Sequence, residues 1–413
     1  MKPEISERGR LMPASPIRRL MPLADEAKRR GVRVLHLNIG QPDLETPACM
    51  RERLRDLPAL LAYTPSGGTA EYLATLQGYY ERLGVAISPA ELMATTGGSE
   101  AVQFALFACT GAGDEALLVE PFYTNYQAFA TMAGVKLVPV ATRGEDGFHL
   151  PPRATWERAC TPRTRLVMLC NPNNPTGTVY TPEEITMVAE LCRERGLFLL
   201  LDKVYREFVY DARRPFSGLM LSGFDEQVVV VDSFSKRYSA CGIRLGSLAS
   251  RNRELLAACL RMGQGRLSAP GLAQLMAVGA SELGAHYIAE VVAEYESRRD
   301  LLYAGLARIP SLFLRKPEGA FYFVARLPLE DADAFVRFML CDFASEGCTV
   351  MVSPASGFYA TPGRGKDEVR IAYVLKGPDL ELAVRVLAAG IAAYPGSRGL
   401  ATPLASTPTR ATG

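Results

Sequence analysis

Short apolar runs alternate with helical segments through most of the chain after residue 114. Six such runs, each four or five residues long, are Ala116–Val119, Lys136–Val140, Arg165–Leu169, Leu197–Leu201, Val228–Val231 and Leu245–Ala249. Val- and Leu-rich runs of this length, separated by helical segments, are typical of a parallel sheet that is covered on both faces. The pattern therefore predicts an α/β unit over the middle of the chain.

The pattern changes after about residue 300 and predicts a smaller α+β domain. Strands are predicted at Ala320–Ala325 and Val369–Val374, with helices near 332–345 and 378–394. A long helix near 283–308 is expected to bridge the two domains. Four segments follow from this: 1–45 as an N-terminal arm and part of the small domain, 46–295 as the large domain, 296–395 as the small C-terminal domain, and 396–413 as a disordered tail rich in Thr, Ser, Pro, Gly and Ala.

Composition agrees with this division and narrows the classes of partner. A chain of 413 residues exceeds what one core usually holds, so two domains are expected. The net charge is only +2, which argues against a nucleic acid or a membrane as the main partner. No apolar run reaches the ~18 residues of a membrane span, and no secretory signal core follows Arg18 and Arg19. The nine cysteines are scattered without metal-like spacing, and a reducing cytoplasm fits them.

Several common kinds of site are disfavoured by the sequence. His36 lies in an alternating strand, where a structural role is favoured, and His149 and His286 lack acidic or cysteine neighbours that would indicate a triad or a metal site. No GxGxxG motif follows any predicted strand, and no Walker motif is present. Histidine chemistry, dinucleotide binding and P-loop chemistry are therefore not expected.

The stretch from Asp232 to Gly246, DSFSKRYSACGIRLG, carries the strongest chemical signal. Lys236 follows a buried strand, and the carboxyl ends of strands are where open α/β sheets bind ligands. A lysine there can act as a nucleophilic amine towards a carbonyl compound. Ser233, Ser235 and Arg244 supply hydroxyls and a forked cation that suit a phosphate dianion. A lysine together with a phosphate clamp indicates pyridoxal 5'-phosphate (PLP), which is an aldehyde that carries a phosphate.

Other strand ends carry residues that a PLP ring would need. Asp202 ends an apolar run, and a carboxylate in such a place favours a cationic partner such as a protonated pyridine nitrogen. Tyr205 and Asn174 can hydrogen-bond the ring hydroxyl, and Tyr123 can stack on the ring. Each residue also has a plainer interpretation taken singly: a helix cap for Asp202, a turn former for Asn174 and a core aromatic for Tyr123.

A glycine-rich turn forms a second possible phosphate contact. In LMATTGGSEAV a short apolar run meets Gly98 and Ser99 at the predicted start of a helix. Backbone amides and the positive end of the helix dipole at such a turn favour a phosphate. A pair of glycines before a helix is also often only a cap.

Taken together, the motifs resemble the class I/II aminotransferases of fold type I, over about residues 12 to 395, and most nearly the bacterial aspartate aminotransferases. The resemblance implies a mainly parallel seven-stranded sheet covered by helices plus a smaller α+β domain. For the cofactor ring, it matches Lys236 to the Schiff-base lysine, Asp202 to the ring-nitrogen aspartate, Tyr205 and Asn174 to the ring-hydroxyl pair, and Tyr123 to the stacking aromatic. For the cofactor phosphate, it matches the phosphate cup to Gly98, Ser99, Ser233, Ser235 and Arg244, and Tyr63 to the tyrosine that reaches the partner subunit's phosphate. For the substrate, it matches Gly40 to the substrate-loop glycine, and Arg370, with Asn174, to the α-carboxylate site.

The resemblance implies PLP-dependent transamination between an amino acid, aspartate-like or of broad specificity, and a 2-oxo acid such as 2-oxoglutarate. A ping-pong mechanism and a homodimer with shared active sites are implied as well. Two alternatives remain at this point: another PLP reaction, such as elimination, cyclisation or oxidation, and a non-catalytic PLP-binding regulator.

One residue departs from the family pattern. The family usually has an acidic residue after the ring-nitrogen aspartate, whereas this chain has Lys203. Successive strand residues point to opposite sides, so Lys203 is expected to face away from the ring and to be catalytically minor. Glu207 is its expected partner if a helix begins there, since it would lie one turn further on.

Overall fold

A computed structural model describes residues 3–398 of the chain. Its strands, in chain order, are β1 Arg33–His36, β2 Leu92–Thr95, β3 Glu115–Glu120, β4 Lys136–Ala141, β5 Thr164–Cys170, β6 Phe198–Asp202, β7 Val228–Ser233, β8 Gly246–Ser250, β9 Phe313–Leu314, β10 Tyr322–Arg326, β11 Cys348–Met351, β12 Ser353–Pro354 and β13 Glu368–Ala372. Its α-helices are α1 Glu7–Leu11, α2 Met21–Arg29, α3 Ala48–Glu52, α4 Ala70–Arg82, α5 Gly97–Cys109, α6 Asn125–Ala133, α7 Arg153–Ala159, α8 Pro182–Arg195, α9 Phe234–Arg237, α10 Arg253–Gly265, α11 Gly271–Val278, α12 Ala285–Leu306, α13 Ala332–Cys341 and α14 Gly377–Ala393.

Seven strands form the central sheet, in the order β2-β8-β7-β6-β5-β3-β4. All are parallel except β8, which is antiparallel to both β2 and β7. Only a short α-helix and a 3-10 turn separate β7 from β8, which is too little chain for the crossover that parallel neighbours need. The expected mainly parallel seven-stranded sheet is confirmed.

Both faces of this sheet are buried. Alternate residues of one strand enter different core clusters: Leu199 and Leu201 of β6 belong to one, and Leu200 belongs to the other. Side chains alternate across a strand, so a strand buried on both faces is apolar at most of its positions. This is the physical origin of the uninterrupted apolar runs in the sequence.

A second sheet lies in the C-terminal part of the chain. It has the order β12-β13-β10-β9 and is antiparallel throughout. Strand β1, from the N-terminal part, pairs in parallel with β11, and the helices α12, α13 and α14 pack nearby. Aromatic and aliphatic side chains from most of these elements form a third core cluster. The fold is therefore α/β with a smaller α+β part.

The ends of the chain need separate mention. The predicted tail, 396–413, lies mostly outside the described residues, although the amide of Arg398 donates to the carbonyl of Pro328. Within residues 3–398, no helix is long and apolar enough to cross a membrane. The division of the chain at residues 45, 295 and 395 stays a prediction.

Candidate active site

The carboxyl ends of five parallel strands open into one cavity of about 760 Å³. The segments that follow β2, β3, β5, β6 and β7 all contribute side chains to it, and the loop after β1 and strand β13 enclose it from the side of the smaller sheet. Twelve of the thirteen predicted site residues line this cavity: Gly40, Gly98, Ser99, Tyr123, Asn174, Asp202, Tyr205, Ser233, Ser235, Lys236, Arg244 and Arg370. Tyr63 is the exception.

Lys236 lies in the short helix α9, directly after β7. Its Nζ donates a hydrogen bond of 2.8 Å to the carbonyl oxygen of Gly40 and lies 3.8 Å from Sγ of Cys241. Neither contact is an ion pair, and the side chain is only half-buried. Its amine is therefore accessible from the cavity and held by contacts that an incoming carbonyl compound can replace.

Asp202 is the last residue of β6 and is buried. Its carboxylate accepts hydrogen bonds from the hydroxyl of Tyr126 at 2.6 Å and from the amide of Val204 at 3.1 Å. Burial raises the pKa of this carboxyl, while the Tyr126 hydrogen bond opposes the rise. Asp202 has no ion pair within residues 3–398, so a cation in the cavity would stabilise its ionised form.

Three polar side chains, Tyr205, Tyr322 and Asn174, line other walls of the cavity. The hydroxyls of Tyr205 and Tyr322 lie 2.8 Å apart, and Oδ1 of Asn174 accepts from Arg370 at 3.1 Å. Tyr123 packs edge-to-face on Tyr126 with its ring centroid 5.5 Å away. Burial raises the pKa of Tyr123 to about 12, so this ring is neutral at physiological pH. Two phenols, an amide and an aromatic face thus surround the space in front of Asp202.

The phosphate-type residues gather at the start of α5. Hydroxyls of Ser233 and Ser235 lie 2.8 Å apart, and Arg244 adopts left-handed backbone geometry with φ of 54°. A Cβ added to Gly97 would lie 2.5 Å from the Arg244 guanidinium, so the glycine lets this cation approach the helix N-terminus. With Gly98 and Ser99 in the first turn of the helix, the arrangement suits a dianion.

Arg370 projects from β13 and is 2 % exposed. Its guanidinium donates to Asn174 and, at 2.6 Å, to the carbonyl of Asn38, and it lies over the rings of Tyr322 and Phe358. Its Nε and the Nδ2 of Asn38 are buried without a hydrogen-bond partner. Buried donors of this kind are costly, and a carboxylate in the cavity would satisfy such groups.

Gly40 has a steric reason to be a glycine. A Cβ built on it would lie 1.8 Å from the hydroxyl of Tyr322. Any side chain there would displace Tyr322 and with it the hydroxyl contact to Tyr205. The same residue supplies the carbonyl that holds Lys236, so its backbone joins two sides of the cavity.

Tyr63 lies outside the cavity and is 81 % exposed. It belongs to a set of exposed apolar side chains that also includes Leu57, Leu60, Leu61, Leu260, Leu267 and Leu272. Within residues 3–398 Tyr63 does not line the cavity that contains Lys236, so its expected role requires a second subunit.

Lys203 lies outside the cavity and is 1 % exposed, and the expectation that Glu207 is its partner is wrong. Residues 204–207 form a turn instead of a helix, and Glu207 pairs with Arg237 at 2.9 Å. Burial, followed by repulsion from Arg206, lowers the pKa of Lys203 to about 7. The pair of Lys203 and Glu207 was inferred from the local i,i+4 spacing, whereas in the fold Arg237, which is distant in sequence, pairs with Glu207.

The expectation for His149 also needs correction. Its ring contacts the carboxylates of Glu184, at 3.1 Å, and Glu318, at 3.6 Å, which raise its pKa to about 9. These acids are distant in sequence and therefore could not be read from the neighbourhood of the histidine. His149 does not line the cavity that contains Lys236.

Sequence reasoning missed several residues that complete the cavity. Tyr126 and Tyr322 contact predicted residues directly, and Asn38 accepts from Arg370 through its backbone. Tyr126 carried a weak local signal, because it lies only three residues after Tyr123. Tyr322 carried none, since β10 belongs to the other sheet.

Comparison with known proteins decides the family. The model of the family described as aminotransferase class I and II matches residues 32–387. The chain belongs to this family. It is an enzyme of the transaminase kind, and its cofactor is PLP.

Relatives agree with the family and differ in the substrates that their names state. The chain is 30% identical to a probable aspartate/prephenate aminotransferase of Aquifex aeolicus, over 93% of this chain and 98% of the relative. It is 29% identical to the aspartate aminotransferase of Bacillus subtilis, over 87% and 92% of the two chains. These matches confirm the resemblance to bacterial aspartate aminotransferases.

Solved structures confirm the fold. A double mutant of Thermus thermophilus aspartate aminotransferase superposes with a TM-score of 0.86 at 28% identity, covering 94% of this chain and 100% of that one. The N-succinyldiaminopimelate aminotransferase of Mycobacterium tuberculosis reaches 0.85 at 26% identity, with coverage of 94% and 100%. Because enzymes with different named substrates fit almost equally well, the fold does not select the substrate.

Proposed function

We propose that the cavity is the transamination site and that the predicted residues hold PLP in it. Lys236 would carry the cofactor aldehyde, and Asp202 would pair with the ring nitrogen. Tyr205 and Asn174 would hydrogen-bond the ring hydroxyl, and Tyr123 would cover one ring face. The phosphate would lie among Gly98, Ser99, Ser233, Ser235 and Arg244. The buried carboxylate of Asp202, which lacks an ion pair within the described residues, is the observation that best supports this proposal.

Bound PLP supplies the electron sink that stabilises negative charge on the substrate Cα. The chain's own task is to place a base beside that carbon and to hold its substituents in one orientation. The Nζ of Lys236 is the available base, because it reaches the cavity and is held only by Gly40 and Cys241. With PLP bound, this amine would take a proton from the substrate Cα in the first half of a ping-pong cycle, and in the second half it would deliver a proton to the Cα of the new amino acid.

Arg370 would hold the substrate α-carboxylate. Its guanidinium is fixed by Asn174, the Asn38 carbonyl and two aromatic faces, so little freedom remains to be lost on binding. The unpartnered Nε of Arg370 and Nδ2 of Asn38 supply additional donors. This fixation would orient the Cα–H bond towards Lys236. Gly40 would line the substrate loop.

A homodimer is part of the proposal. The exposed apolar side chains near Tyr63 would be buried between two copies of the chain, and Tyr63 would reach the cofactor phosphate of the partner subunit. The enzyme would act in the cytoplasm on free amino acids and 2-oxo acids, as its nine free thiols suggest. Aspartate-like donors with 2-oxoglutarate as acceptor are the proposed pair, in line with the names of the relatives.

The covalent site can be tested directly. Purified enzyme should be yellow, and borohydride should bleach the absorbance and fix the cofactor onto Lys236. Peptide mapping by mass spectrometry would identify the modified lysine. An adduct on any other lysine would overturn the assignment of the site, and turnover that does not depend on a 2-oxo acid acceptor would overturn transamination as its reaction.

A further inference from the structure

The helix that carries Lys236, α9, is only four residues long, Phe234–Arg237. One turn of helix has too few internal hydrogen bonds to be stable by itself, so its position depends on contacts with the rest of the fold. On the cavity side, Lys236 is held only by the carbonyl of Gly40 and by Sγ of Cys241, which are contacts that an incoming carbonyl compound can replace. Lasting anchors of α9 are therefore expected away from the cavity.

Arg237, the last residue of α9, is buried and does not line the cavity. Its Nη1 donates to Glu207 at 2.9 Å, and its Nη2 forms an ion pair with Asp232. The guanidinium also lies over the ring of Tyr79, with 4.2 Å between Cζ and the ring centroid. One side chain thereby joins two carboxylates from different segments of the chain.

A second arginine completes this buried cluster. Arg206 donates to Asp232 at 3.0 Å and to the hydroxyl of Tyr79 at 2.9 Å, and that hydroxyl donates to Glu207. The side chains of the two arginines and the two acids are each at most 5 % exposed. Two guanidinium groups thus face two carboxylates, which is the condition under which buried charges are tolerated.

The cluster joins the turn that follows Asp202 to the segment that contains Lys236. Its members in the second segment are the two end residues, Asp232 and Arg237. Asp232 also accepts a hydrogen bond from the amide of Ser233 at 2.6 Å. Because both ends are fixed to the same cluster, the segment between them has little freedom to shift against Asp202.

We propose that Arg237 is a positioning residue for transamination: its bridge between two buried carboxylates fixes Lys236 relative to Asp202. This inference rests on the proposed function, which gives Lys236 and Asp202 their roles towards the cofactor. A guanidinium reaches two carboxylates in fixed directions, whereas an ammonium is a point charge on a flexible stem. Proton transfer by Lys236 depends on where its amine lies, and a misplacement of about 1 Å can cost about a hundredfold in rate.

The decisive variant is Arg237→Lys, which keeps the positive charge but cannot join both carboxylates in the same directions. Its kcat should fall on the order of tenfold to a hundredfold. KM for the amino donor should change by less than about threefold, because Arg370 still holds the α-carboxylate. A pH titration of the absorbance of the bound cofactor gives a readout other than activity. Its midpoint should shift by about half a pH unit or more, because it reports the surroundings of the Lys236 nitrogen.

A double variant, Arg237→Met with Glu207→Gln, keeps the test valid if a single change disturbs folding. It removes one charge of each sign and leaves the pair of Arg206 and Asp232 in place. This variant should be folded, as judged by urea unfolding, and should show the same fall in kcat and a shifted absorbance titration.

Arg299→Met is the matched control. Arg299 is likewise a buried arginine, pairs with Asp211 at 2.9 Å and lies over the ring of Tyr210, but it does not belong to the cluster around Arg237. Its replacement should lower the urea midpoint and leave kcat and the absorbance titration unchanged.

Wild-type kcat and an unchanged titration in Arg237→Lys would overturn the positioning role, because charge alone would then suffice. Equal changes in Arg299→Met would overturn it as well, since general destabilisation would explain them. A rise in KM with unchanged kcat would also contradict it. If borohydride fixes the cofactor onto a lysine other than Lys236, the proposed function itself fails, so the two failures are distinguishable.

Discussion

Lys203 makes a quantitative prediction about stability and pH. Its ammonium is buried beside Arg206 and has no ion pair within the described residues, and its pKa is lowered from 10.5 to about 7. Each unit of pKa corresponds to about 1.4 kcal/mol, so the folded state loses up to about 5 kcal/mol relative to a fully hydrated lysine. Water penetration and relaxation around the charge reduce this to a few kcal/mol in practice.

The sign of the pH dependence follows from the direction of the shift. Above pH 10.5 the lysine is neutral in both states and contributes no penalty. As pH falls towards 7, the unfolded chain takes up a proton that the folded one does not, so stability decreases by about 1.4 kcal/mol per pH unit. Below pH 7 both states are protonated and the penalty is constant. Replacement by methionine, which has a similar length without the charge, should remove this dependence.

The assay is urea unfolding of the wild type and Lys203→Met between pH 6.5 and 10.5, at a fixed excess of PLP. Trp156 is the single tryptophan of the chain and is buried, so its fluorescence reports unfolding. Lys203→Met should be more stable by a few kcal/mol near pH 7, and the difference should vanish towards pH 10.5. Lys28→Met, at an exposed lysine paired with Asp25, is the control and should show no such trend.

A stability difference that does not vary with pH would refute the reasoning, because it would mean that the buried amine is not the titrating group. Turnover provides a second check. Since Lys203 lies outside the cavity, Lys203→Glu should change kcat by no more than about a fewfold at temperatures where the protein stays folded. A displaced absorbance band or tighter cofactor binding in that variant would show that the residue acts on the ring after all.

Three other predictions concern the cavity. Asp202→Ala should retain PLP but lose about two to three orders of magnitude in turnover, because its electrostatic support for the ring nitrogen disappears; near-normal kcat would mean that Asp202 only caps the strand end. Arg370→Lys should raise KM about tenfold for every donor, since a point charge cannot replace the fork; a loss for one donor class alone would make it a side-chain reader. Tyr63→Phe should weaken PLP retention, and mixing it with Lys236→Ala should restore partial activity in heterodimers; no complementation would place each site within one subunit.

The sequence was sufficient to predict most of the residues that line the cavity at the strand ends, because these residues follow recognisable apolar runs. In a parallel sheet the residues that follow the strands meet at one edge, so recognising the apolar runs also places what comes after them. Asp202, Lys236 and Tyr123 were found in this way, and the motif from Ser233 to Gly246 identified the cofactor. The mainly parallel fold followed from the same runs, because strands buried on both faces are apolar at most positions and the intervening helices cover them.

The tertiary structure decided whatever depends on contacts between distant segments. The cage of Arg370 joins β13 to Asn38 and Asn174, and Gly40 is small because Tyr322, in another sheet, occupies the space of its side chain. Lys203 is 1 % exposed, and strand alternation alone cannot reveal whether the side facing away from the cavity is buried or solvated. Arg18 and Arg19 are consecutive residues of the same type, and only the tertiary structure shows that Arg19 pairs with Asp333 whereas Arg18 lines the cavity. Local patterns encode which residues leave a strand end, whereas long-range packing encodes which groups they meet.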